Sequence, residues 1–188
     1  MNYFESIGRE IVQLHMDSHH FTHGLPDWRA AALAGVIAGA VFLVLGVILM
    51  ALTTGGSLLE PPRMVAAIIL GRGALQSPQA FSIGIVLAAF LVHFALAIVL
   101  ALVLGLIMTS FNLDSSMGMA SLAGGAFAVA VYLINFYGMT RFFPWFAEAR
   151  NWASLFVHIV FGIVTANLYM RLERNTSRRV KADAGGPS

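Results

Sequence analysis

Apolar residues in this chain run in four long blocks, broken by short stretches that hold most of its charges, prolines and turn residues. The blocks cover about residues 30–53, 81–108, 117–138 and 151–172. Each is long enough to supply the roughly 20 helical residues that cross a bilayer core. No water reaches that core, so every backbone N–H and C=O must be paired within the segment, and the blocks must be helices. The pattern predicts an all-α integral membrane protein, a four-transmembrane-helix bundle occupying residues 29–174.

The flanks follow other periods. Phe4, Ile7, Ile11 and Leu14 recur at three- and four-residue spacing, with Glu5, Arg9, Glu10 and Gln13 between them. This makes residues 1–28 an amphipathic segment lying on the cytoplasmic surface, interrupted near Gly24 and Pro26. Pro61-Pro62 opens a further apolar stretch, about residues 61–75, that is too short to span. It is expected to be an interfacial or re-entrant helix. Residues 175–188 read as a basic, disordered tail ending in Gly-Gly-Pro-Ser.

Composition agrees with the pattern. Of 188 residues, 59% are hydrophobic and 11% charged, and the mean hydropathy is +0.81. A soluble domain carries about 25% charged residues, so water is not the solvent for most of this surface. The lipid bilayer is the expected surroundings. The net charge of +2 is small and its basic residues form no broad face, which argues against nucleic acid as a partner. There are no cysteines, excluding disulfides, thiolate ligands and cysteine nucleophiles. The first block is too long, and its acidic leader too extended, for a cleaved signal peptide.

Arg171, Arg174, Arg178, Arg179 and Lys181 form the densest basic cluster. By the positive-inside rule both termini are expected in the cytoplasm. Phe136, Tyr137, Phe142, Phe143, Trp145, Phe146 and Trp152 crowd the outer loop around Pro144, as an interfacial aromatic belt would.

The spans carry an internal echo. Ala31-Ala32-Leu33-Ala34-Gly35 opens the first and Ala120-Ser121-Leu122-Ala123-Gly124 the third. Val92-His93 with Ala97 and Ala101 in the second is matched by Val157-His158 with Gly162 and Ala166 in the fourth. The bundle therefore reads as two duplicated hairpins related by an axis along the membrane normal. Gly35, Gly39, Gly124 and Gly162 are candidate helix-packing positions, because small residues let backbones approach where lipid supplies no hydrophobic drive. Packing within the chain and homodimerisation both use such faces.

His93 and His158 are the candidate chemistry. An intramembrane histidine should face the bundle and find a partner. Three uses fit: hydrogen bonds to carbonyls or hydroxyls such as those of Ser154 or Tyr132, ligation of haem b or another metal by the pair, and proton relay or solute contact. His15, His19 and His23, at helical spacing, are candidate metal ligands, with headgroup-facing histidines as the alternative. Asn135 and Asn167 are expected to reach solvent near span ends. No phosphate-binding loop, zinc-protease pair or nucleophile elbow is present, and no acidic residue interrupts a span, so no enzyme is expected.

With its basic tail following Phe156-Val157-His158-Ile159-Val160-Phe161-Gly162, the chain resembles the small four-helix bacterial inner-membrane proteins of which the YagU-type proteins are a distant example. That resemblance implies a location in a bacterial inner (plasma) membrane and no established activity. The expected function is a non-enzymatic accessory or scaffold subunit of a larger membrane complex. A small haem- or metal-binding redox protein, or a small channel or transporter, are the alternatives.

Overall fold

The computed structural model describes residues 25–53, 58–76 and 81–184. The expected amphipathic segment through residue 24, with His15, His19 and His23, lies outside the described residues. Among the described residues there are six α-helices: α1 (Trp28–Thr53), α2 (Glu60–Leu70), α3 (Gly73–Gln76), α4 (Ile83–Ser110), α5 (Met117–Leu133) and α6 (Trp152–Ala184). A π-helical turn, Ile134–Gly138, and two 3-10 turns, Met139–Arg141 and Pro144–Ala149, join α5 to α6. Four helical stretches, Trp28–Leu52, Ile83–Ser110, Met117–Arg141 and Trp152–Thr176, are long and apolar enough to cross a bilayer. The chain is thus an all-α, multi-pass membrane protein.

Local signals set the helix ends. Asp27 Oδ1 accepts from the Ala30 N–H at 2.9 Å, Ser116 Oγ from Met119 at 3.2 Å and Asn151 Oδ1 from Ser154 at 2.8 Å. Each side chain caps N–H groups that a helix start leaves unpaired. The end of α4 is a Schellman turn: Asn112 takes a φ of +51°, while the Leu113 N–H reaches Met108 O at 2.9 Å. Leu113 closes the motif by packing against the core around Met108. Pro61-Pro62 stands in the first turn of α2, and Gly71, at φ 75°, ends it by donating to Ala67 O.

The last helix corrects the expected boundary. Residues 175–184 continue α6 instead of forming a disordered tail. Neither glycine nor proline occurs between Leu172 and Ala184, whereas Glu, Arg, Lys and Ala favour helix there.

The spanning helices pack in the order α4, α1, α6, α5, with α2 against α4. α4 and α5 meet only marginally although a short turn joins them. Small residues line the helix crossings, and Leu104, Met108, Tyr169 and Met170 fill the core beside them. Ala31, Ala34, Ala38, Ala101, Ala120 and Ala166 are buried, while Val44, Leu87, Leu91, Val99 and Leu122 point outward. This is the distribution that lipid solvation favours, because close backbone contact replaces hydrophobic drive between the helices.

The two hairpins cross in the same register. A Cβ on Gly35 would stand 2.7 Å from Ala101 Cβ and 2.8 Å from Ala97 O. One on Gly124 would overlap the Gly162 carbonyl and stand 2.9 Å from Ala166 Cβ. Gly39 meets Ala97 as Ala128 meets Gly162. Between hairpins the likeness stops: α1 packs along α6, and α5 with α4 has no contact of similar extent.

Candidate functional site

The α1–α4 crossing places His93 beside a neighbouring backbone. Its Nε2 lies 3.0 Å from Gly39 O. A side chain on residue 39 would crowd this approach, since an added Cβ would sit 3.4 Å from that nitrogen. A carbonyl only accepts, so His93 carries its proton on Nε2. His158, on α6, makes a local bond instead: Nδ1 donates to Ser154 O, one turn earlier, at 2.7 Å. The two imidazoles therefore hold opposite tautomers.

Aromatic rings surround them. Phe42 on α1 lies against both, with ring centroids 5.4 Å from His93 and 5.0 Å from His158. Tyr132 and Phe136 meet His158 at 5.7 Å and 5.4 Å, and Phe94 meets His93 at 5.3 Å. The histidines thus share one aromatic cluster reached from α1, α4, α5 and α6, each imidazole tied to a backbone carbonyl. Ser154 serves through its carbonyl, not its hydroxyl. Nδ1 of His93 and Nε2 of His158 take no part in these bonds and are the nitrogens that could serve a ligand. Among the described residues no three His, Asp or Glu side chains gather as a metal site.

A second polar centre, absent from the sequence reading, closes the opposite end of the bundle. Tyr169, fully buried on α6, has its hydroxyl 2.9 Å from Thr109 Oγ1 of α4 and donates to Glu173 Oε1 at 3.3 Å. Arg174 donates to Asp114 O at 2.8 Å and Ser115 O at 3.3 Å, holding the α4–α5 turn against α6. Asn167 does not turn to solvent as expected. Its Nδ2 donates to Ser121 Oγ at 2.8 Å and Ile163 O at 2.9 Å, leaving Oδ1 buried without a partner. The available signal was the cost of unpaired polar atoms in lipid, which obliges any Tyr, Thr or Asn inside a span to find a neighbour.

At the loop end the aromatic stretch divides. Phe142 and Trp152 are exposed, as an interfacial belt requires. Trp145 instead packs with Ala67 and Ala74 of α2 and α3, and its indole Nε1 donates to Met64 O at 3.1 Å. Arg150 occupies the π-helical turn: Nε donates to Phe136 O, Nη2 to Thr140 Oγ1 at 3.2 Å, and the guanidinium lies 4.6 Å over the Tyr137 ring. A cation is favoured there because the closing turns of a helix leave carbonyls without partners.

Comparison of the chain with protein-family models, with curated proteins and with solved structures finds no match in any of the three.

Proposed function

We propose that this chain is a non-enzymatic scaffold or accessory subunit of a larger plasma-membrane complex, with both termini cytoplasmic and its spans derived from two duplicated hairpins. The observation that carries the reading is the inward use of the polar groups in the spans. His93, His158, Thr165, Tyr169 and Asn167 each bond within the bundle. What faces outward along the helices is aliphatic and aromatic. A bundle locked by backbone-close crossings offers a rigid body for assembly rather than a reaction site. The shared crossing register of the two hairpins supports the duplication.

Isolation of the tagged chain from native membranes in mild detergent, with crosslinking before extraction, tests the assignment. A stoichiometric assembly larger than a monomer is expected, with a partner protein crosslinked to the lipid-facing side of α4 or α5. A lone monomer that forms no crosslinks overturns it, and a homodimer alone narrows the role to self-association.

A further inference from the structure

The extension of α6 beyond the membrane carries one more feature. From Leu172 to Ala184 the helix is unbroken, and Val180 is the single large apolar residue after Leu172. The extension has no apolar stripe with which to lie in a bilayer or dock on an apolar groove. Its pattern is one of charge. At 3.6 residues per turn, positions 171, 174, 178 and 181 fall within a sector of about 80°. The sequence places Arg, Arg, Arg and Lys at them. Glu173, Arg179 and Asp183 fall outside that sector.

At the membrane end of the stripe the guanidiniums are exposed. Those of Arg171 and Arg174 contact Met117 Sδ and the carbonyls of Asp114 and Ser115, which are uncharged, and the one acid interacting with Arg174 among the described residues is Glu173. Distance then selects the partner. A rise of 1.5 Å per residue carries position 181 about 14 Å past Leu172. The headgroup layer is roughly 5–7 Å thick on each side, and a charge is felt across a further Debye length of about 8–10 Å. The whole stripe therefore stands within the field of one leaflet surface.

We infer that this basic face of α6 binds the headgroups of anionic phospholipids in the leaflet it adjoins, gathering them beside the α4–α5 turn. The inference rests on the multi-pass architecture and not on the scaffold role. Juxtamembrane basic residues gain about 1 kcal/mol each near an anionic surface, close to a fivefold change in association per residue.

Full-length protein reconstituted in phosphatidylcholine vesicles, probed with spin-labelled phosphatidylglycerol and spin-labelled phosphatidylcholine, provides the test. The immobilised fraction should favour phosphatidylglycerol several-fold at low salt and lose most of that preference at high salt. Arg178→Gln with Lys181→Gln should abolish most of it, while Arg179→Gln, off the stripe, should leave the larger part. Unchanged helical content confirms that each variant folds. Equal association of the two lipids with the native chain overturns the inference. So does a double variant that keeps the lipid preference but loses a bound acidic polypeptide.

Discussion

The backbones of Gly124 and Gly162 touch, so that a Cβ on either residue would overlap the carbonyl of the other. Backbone cannot move aside as a flexible side chain does. Gly124→Ala or Gly162→Ala should therefore destabilise the bundle by about 1–3 kcal/mol, the usual cost of overpacking. Gly46 is the internal control, since nothing lies within 4 Å of a Cβ built there. Gly46→Ala should be neutral, or stabilising by up to about 1 kcal/mol through helix propensity. Thermal unfolding in detergent compares them; equal midpoints for Gly124→Ala and Gly46→Ala would contradict the crossing geometry.

Tyr169 and Thr109 join α6 to α4 by a hydroxyl–hydroxyl bond of 2.9 Å. Tyr169→Phe removes it along with the contact to Glu173, so the single variant overstates the pair. A double-mutant cycle with Thr109→Val isolates the α4–α6 bond. Side-chain hydrogen bonds inside membranes average about 0.6 kcal/mol and reach about 1.7 kcal/mol, and the coupling should fall in that range. Strictly additive unfolding free energies would show that the two hydroxyls do not interact.

Most of the fold could be read from hydrophobic length, because a bilayer leaves an apolar block of some 20 residues no other structure. The crossing points were legible for the same reason: Gly35 and Gly124 could be picked out where close contact needs small residues. Partner choice was not legible. That His93 reaches Gly39 O, and that Trp145 leaves the interfacial belt to bind Met64 O, depends on how separate helices meet. The chain order gives no measure of that. The length of α6 was missed for a different reason. The Gly-Gly-Pro-Ser end marks a disordered tail but does not say where it starts, and the Glu, Arg and Lys before it are good helix formers.

Trp145 holds the loop between α5 and α6 on α2 and α3. Trp145→Phe keeps a ring but loses the bond to Met64 O, and should cost about 0.5–1.5 kcal/mol. Trp145→Ala removes the ring as well, at about 3–5 kcal/mol for a buried aromatic. The loss should be local, read as faster hydrogen exchange in residues 61–76 with the exchange of α5 and α6 little changed. Exchange unaltered in Trp145→Ala would mean that α2 is held by α4 alone.

The pairing of His93 with Gly39 O makes a spectroscopic prediction. Phe42 packs against both imidazoles, in the space a haem shared between them would need, so the purified protein should show no Soret absorption. His93→Ala should lower stability by about 1 kcal/mol through the lost bond. A Soret band in the native protein that disappears in His93→Ala would replace the packing role with a redox one.

The absence of cysteine makes the membrane arrangement directly measurable, because any introduced thiol is the only one present. Ser115, in the α4–α5 turn, and Glu148, in the 3-10 turn before α6, are exposed and stand at opposite ends of the bundle. Arg174 holds the turn through backbone carbonyls, so Ser115→Cys spares that contact. With the basic end of α6 in the cytoplasm, Glu148→Cys should react with a membrane-impermeant maleimide in intact cells. Ser115→Cys should react only after permeabilisation. Reversed labelling would keep the four crossings but place both termini outside, against the positive-inside bias. Labelling of both thiols in intact cells would mean that no barrier separates the two ends, and the spanning architecture itself would fail.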